Sequence, residues 1–155
     1  MRRSFVKGPP DIPMPTESVL KMKAVLPNVP RAIDFVRHLA LEAGFGEQAL
    51  YEIQVAVDEA CANIVQHAYV DKEHGDMELT CRQDDRMFVI HVRDWGESFA
   101  PEEIADPDVH APLEKRTLGG LGLFLIRQFM DKVHFAFDPE HGNELIMTKK
   151  LPAAE

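Results

Sequence analysis

Three short stretches of the sequence carry groups that could act on a phosphorylated ligand. The first is DEACANIVQHAY, where Glu59 and Asn63 stand four residues apart. On a helix that spacing sets them about 40° from each other around the axis and roughly 6 Å along it. An Asn carbonyl is a hard oxygen ligand that holds Mg²⁺ when phosphates and water fill the other positions. A carboxylate beside it can orient and deprotonate a hydroxyl or water attacking a terminal phosphate. His67, one turn further on, is placed either to meet a phosphate or the loop over it, or to cap the helix end at the surface. The second stretch is DWGESF. Asp94, at the end of an apolar strand, can accept a hydrogen bond from an amine such as the exocyclic amine of adenine, and Gly96 would let a ring lie against the backbone. The same pair also makes an ordinary turn, and Trp95 and Phe99 read first as core residues. The third stretch is GGLGL. Gly119, Gly120 and Gly122 allow backbone N–H groups close to an anion, and a helix starting near Leu121 adds the positive end of its dipole. No Gly-Lys-Ser/Thr follows and no β-α-β unit surrounds it, so it is neither a P-loop nor a dinucleotide fingerprint. A glycine cluster alone fits a hinge to a packed helix equally well.

These groups meet only if the elements between them fold the chain back on itself. Leu50, Ile53, Val57, Ala60, Ile64 and Ala68 recur at steps of three and four within Glu47–Tyr69, which gives a helix a buried stripe on a face away from Glu59 and Asn63. Before it, SVLKMKAVL alternates like a strand ended by Pro27; Asn28 can cap the next helix, which Pro30 opens and Gly44 closes. After it, MELTCRQ and RMFVIHVRD read as a hairpin joined at Asp84 and Asp85. Residues 97–118 are polar, contain Pro101, Pro107 and Pro112, and have no sustained period, which suits a lid or binding loop. A short apolar helix over Leu121–Met130 leads to a last hairpin, KVHFAFDP and NELIMTKKL. Strands and helices come in blocks, so the expected fold is α+β: a two-layer sandwich of a mixed, mainly antiparallel sheet covered by helices.

Composition narrows the function. With 155 residues, 45% of them hydrophobic and 28% charged, the chain can build one core without staples. It holds no apolar run long enough for a membrane span, and no signal-peptide pattern at its start, so no membrane and a cytoplasmic location are expected. Cys61 and Cys81 fit no metal spacing and read as buried thiols in a reducing compartment. A formal charge of −9 argues against direct nucleic-acid binding and suits a basic protein partner. Residues 1–16 hold four prolines and read as a flexible arm.

The order Glu-x-x-x-Asn, strand-end Asp-x-Gly, loop and Gly-Gly-x-Gly-Leu resembles the GHKL (Bergerat-fold) ATPase superfamily. Within it, DWGESF, GGLGLFLIRQFMDKV and IMTKKL look most like the small anti-sigma-factor serine/threonine kinases of bacteria, over about Thr16 to Leu151. The resemblance implies one ATP-binding kinase domain over 17–152, with an ATP lid at 97–118 that orders when nucleotide binds. It implies ATP and Mg²⁺ as cofactors, Asn63 as metal ligand and Glu59 as general base. Asp94 would read the adenine amine and Gly96 would shape the base pocket. Gly119, Gly120 and Gly122 would face the phosphates, supported by Leu121 and Leu123. The implied partners are a sigma factor, a STAS-type anti-anti-sigma protein that receives the phosphate, and a second copy of the chain, through the edge of the first strand. Two positions depart from the superfamily pattern. Ser98 stands where a second glycine is common, and Gly142-Asn143 stands where Gly-Thr is usual. The latter leaves open the threonine contact to the base, for which Thr148 is a substitute only if it is not structural. Two other readings differ in activity: a related switch kinase acting on another regulator, and an idle nucleotide-gated binding module. Retention of Glu59 favours an active kinase.

Overall fold

A computed structural model of the chain describes residues 17–69, 75–97 and 120–153. Strand β1 (Glu17–Lys23) leads through a 3₁₀ turn at Leu26–Asn28 into helix α1 (Val29–Glu42), followed by α2 (Glu47–Asn63). Strands β2 (Asp76–Asp84) and β3 (Met87–Asp94) come next, then α3 (Gly120–Phe129), β4 (Lys132–Asp138) and β5 (Gly142–Lys150). The strands form one sheet in the order β1-β2-β3-β5-β4, with every neighbouring pair antiparallel. The α+β sandwich expected from the sequence is therefore present, without the parallel pair that a mixed sheet would contain. Its cause is the connection from β1 to β2. Two helices carry the chain away and back, so β2 starts where β1 ended and Lys23 faces Asp76.

The helices cover one face of the sheet. All six residues of the stripe along α2 and its extension are buried, and they pack with Met77, Leu79, Ile90, Val92 and Met147 from the inward positions of the strands. The alternation of strand side chains makes this possible: in register, Ile90 faces Met147 and Val92 faces Leu145. Cys61 and Cys81 are buried, free thiols, and burial pushes both up to about 12, as expected for structural rather than reactive cysteines. A buried cation fixes the far end of α3: Lys149 Nζ donates to Glu52 Oε1 at 2.9 Å and to the Phe129 carbonyl at 2.6 Å.

Several local expectations change. The β2–β3 turn is Asp85–Arg86, one residue later than expected, and both have positive φ, 43° and 67°. Such a two-residue turn matches the right-handed twist of the strands it joins. Asn28 is the N-cap of α1 but makes no capping hydrogen bond. It lies at φ −88° and ψ −9°, already helical, and its amide bonds the Lys23 carbonyl instead. Strand β1 stops at Lys23 rather than running on to Leu26. Gly44 closes α1 as expected, at φ +100°. The arm at 1–16, residues 98–118 of the expected lid, Phe99 and Gly119 lie outside the described residues, as does the side chain of Leu121.

Candidate nucleotide site

The C-terminal half of α2 faces the ends of β3 and β5 and the start of α3. Directly after Asn63 the helix widens into a π-helical turn, Ile64–Ala68, which changes the side-chain spacing from that of a regular α-helix. Asn63, Ile64, His67 and Ala68 thereby line one cavity together with Val92, Asp94, Leu123, Phe135 and Asn143. The space it outlines, open solvent included, is about 560 Å³. Its walls are largely apolar and aromatic, with a few polar groups at defined points.

At one end stands Asp94, only 9% exposed. Its Oδ1 accepts from Gly96 N at 2.9 Å and from Asn143 Nδ2 at 3.0 Å. Burial pushes its carboxyl above the ordinary aspartate value, and these two donors oppose that shift, Asn143 the more strongly. Asn143 Nδ2 also donates to the Gly96 carbonyl at 3.0 Å. The turn is gripped from α2 as well: Glu97 N donates to the Ala68 carbonyl at 2.7 Å, and Trp95 N donates to the Tyr69 hydroxyl at 2.9 Å. That hydroxyl donates in turn to the Asp76 carbonyl at 2.7 Å, tying the end of α2 to β2. Gly96 lies so close to Ala68 that a Cβ would run into the Ala68 carbonyl oxygen. Glycine is required there by a close approach of two backbones, not by a special φ.

Glu59 stands one turn before Asn63, outside the residues that line the cavity, and lies against α3. A Cβ on Gly122 would lie 2.5 Å from Glu59 Oε2. Burial, and secondarily the neighbouring Asp58, raises the Glu59 carboxyl above its ordinary value. Leu123, next in the chain, lines the cavity, and Gly120 is the first residue of α3. Four positions missed or misread in the sequence matter here. Asn143 figured there only as a departure, and Tyr69 carried no signal beyond ending the periodic run. His67 is neither a cap nor a surface residue; it lines the cavity, and its buried Nε2 has no hydrogen-bond partner among the described residues. Trp95 is not core: it is 39% exposed, with Lys21 Nζ 4.9 Å above its ring. Thr148 stays structural, paired with Val89 and Lys132 away from the cavity.

An antiparallel sheet under three helices, with Asn63, Asp94 and Leu123 lining one cavity and Glu59 set against Gly122, makes an α+β sandwich. Residues 22–149 match the histidine kinase-like ATPase domain. The chain belongs to that ATPase family, and within it groups with the serine-protein kinases. It is 36% identical over 117 residues to the serine-protein kinase RsbW of Listeria monocytogenes, covering 73% of each chain. It is 40% identical over 125 residues to RsbW of Halalkalibacterium halodurans, covering 77% of this chain and 74% of that one. The serine/threonine-protein kinase BtrW of Bordetella bronchiseptica is 30% identical, over 67% of this chain and 73% of its own. Among solved structures, a histidine kinase domain from Erythrobacter litoralis superposes with a TM-score of 0.51 at 17% identity, covering 79% of this chain and 59% of that chain, a likeness of fold. No described helix is long and apolar enough to cross a membrane.

Proposed function

We propose that the chain is an ATP-dependent serine/threonine kinase that also acts as an anti-sigma factor, binding a sigma factor and phosphorylating a STAS-type antagonist. Residues 17–152 form its single catalytic domain. The observation that carries this reading is that Glu59 stands against Gly122, while Asn63 (one turn after Glu59), Leu123 (next to Gly122) and Asp94 line one cavity. This supports a site to which three segments far apart in sequence would supply an acid, a glycine turn and an amine acceptor. The serine-protein kinase relatives align with this chain over about three quarters of their length, at 36% and 40% identity.

In this reading the free oxygen of Asp94 accepts the adenine amine, and Gly96 keeps the ring close to the backbone. Gly119, Gly120 and Gly122 face the phosphates, with Leu121 and Leu123 behind them. Asn63 offers its amide oxygen to Mg²⁺. No described cluster of three His, Cys, Asp or Glu could hold a metal by itself. One amide oxygen fits a small hard cation that takes its other ligands from phosphates and water. That ion, when bound, screens the charge of the transferring phosphoryl group. Glu59, raised by burial, takes the proton from the partner's hydroxyl. The nucleophile belongs to the partner, so catalysis rests on placement and charge screening. His67, lining the cavity beside Asn63, is available to a phosphate oxygen. The edge strand β1 is a surface on which a second copy can pair.

Incubation with labelled ATP and candidate STAS-type proteins tests the kinase activity, and a pull-down of sigma factors tests the binding role. Label transfer to a serine or threonine of a STAS-type protein is expected. Nucleotide binding without transfer to any candidate, in the presence of Mg²⁺, would favour the idle binding module.

A further inference from the structure

The turn at the base end of the cavity is closed by one amide that uses both of its protons. Asn143 Nδ2 donates to Asp94 Oδ1 at 3.0 Å and to the Gly96 carbonyl at 3.0 Å. The surroundings fix this orientation, since the flipped amide would set its oxygen against a carboxylate and a carbonyl. Gly96 N donates to the same Oδ1 at 2.9 Å. Among the described residues Asp94 Oδ1 thus has two donors and Oδ2 has none. A serine or threonine hydroxyl at this position has one proton and could not serve both acceptors.

We infer that Asn143 determines base specificity: by engaging one oxygen of Asp94 and the Gly96 carbonyl together, it leaves the other oxygen as a fixed acceptor that takes a 6-aminopurine and rejects a 6-oxopurine. This rests on the reading of Asp94 as the base-contacting carboxylate, and deepens it. An aminopurine offers a donor where an oxopurine offers an acceptor, so an ionised carboxylate discriminates sharply and a neutral acid, able to donate, does not. Burial favours the neutral acid, and the Asn143 donor opposes it. The other titratable groups around the turn are Tyr69 and His67 from the end of α2, Asp76 at the start of β2, Glu97 within the turn and Glu144 beside Asn143. The residues lining the cavity from α3 and β4 are Leu123, Ile126, Phe135 and Phe137, all apolar. These groups are the same in wild type and variants, so a difference between them belongs to Asn143.

The test is equilibrium binding of ATP and of GTP to the full chain, in the wild type and in Asn143→Leu and Asn143→Thr. Affinities are read between about pH 6 and 8, with thermal unfolding of each protein recorded alongside. The wild-type preference for ATP is expected to stay level across that range. In Asn143→Leu it should fall at least about tenfold and fall further toward low pH, with Asn143→Thr in between. A merely structural role would weaken both nucleotides alike and leave their ratio unmoved. A ratio within about threefold of wild type in Asn143→Leu overturns the inference, as does an unchanged ratio in Asn143→Thr should the leucine protein not fold. Asp94→Asn separates the two levels. If it leaves the preference for ATP in place, the reading of Asp94 fails and this inference with it. If it abolishes the preference while the Asn143 variants keep theirs, only the role of Asn143 fails.

Discussion

The two ends of the cavity are built differently. Around Asp94 the polar groups are already paired: Asp94, Gly96, Asn143, Tyr69 and the Ala68 carbonyl share one network that joins the end of α2, β2, β3 and β5. Glu59 and Asn63, neither of them fully buried, have no side-chain hydrogen bond among the described residues, and His67 on the cavity wall keeps a buried nitrogen without a partner among them. Buried polar groups left without partners are costly and uncommon in a finished core. Under the proposed reading, the paired network around Asp94 fixes the base-binding turn in advance, while Glu59 and Asn63 act on the bound phosphates. Changes at the first end should therefore act on affinity, and changes at the second on rate.

The largest expected effect is at the reacting end. Glu59→Gln should lower phosphoryl transfer by about 10²–10⁴-fold while nucleotide affinity stays within about threefold. Single-turnover transfer and equilibrium binding measure the two separately. A matching loss in both would erase the proposed distinction. The same carboxylate sets a pH dependence. A base works ionised, and burial raises the value at which Glu59 ionises, so the rate should fall with acid at a higher pH than for an ordinary glutamate. This acid limb should be absent from the residual activity of Glu59→Gln.

Gly96→Ala should lower nucleotide affinity by about 10²-fold, since its Cβ meets the fixed Ala68 carbonyl and must open the turn. Titration calorimetry reads this directly, and an unchanged affinity would show that the base end is not rigid. Gly122→Ala presses only on the tip of a flexible carboxylate, so it should slow transfer about tenfold and spare binding.

Smaller changes test the supports behind each end. Lys149→Met removes the cation that holds the end of α3 to α2 and should cost about 1–3 kcal/mol of stability, measured by denaturant unfolding. The Lys149 hydrogen bond holds the Glu52 carboxyl below its usual value. Its stabilisation is therefore complete above the unfolded-state value and is lost as pH falls through the lower folded one. The variant should lack that acid-dependent part of the stability curve. Tyr69→Phe, which strands the Trp95 N–H, should cost about 1 kcal/mol in stability and a few-fold in affinity, with the maximal rate unchanged. A fall in maximal rate larger than the loss of affinity would count against Tyr69 acting through the turn alone.

What the sequence determined by itself is whatever depends on local order. The periodicity of α2, the alternation of the strands, the glycine that ends α1 and the burial of both cysteines are all readable from neighbours three or four residues away. So is the ordered set Glu59–Asn63, Asp94–Gly96 and Gly119–Gly122, which pointed to a shared nucleotide site. What only the tertiary structure decided are contacts between segments far apart in the chain. Asn143 clamping Asp94 spans 49 residues, and the Tyr69 hydroxyl reaches Trp95 across 26. The π-helical turn that brings His67 to the cavity, and the exposure of Trp95 beside Lys21, belong to the same class. An amide or phenol in a sequence has donors and acceptors but no address. Its partner is chosen when a sheet register and a helix end bring two distant backbones together, and no local pattern encodes that meeting.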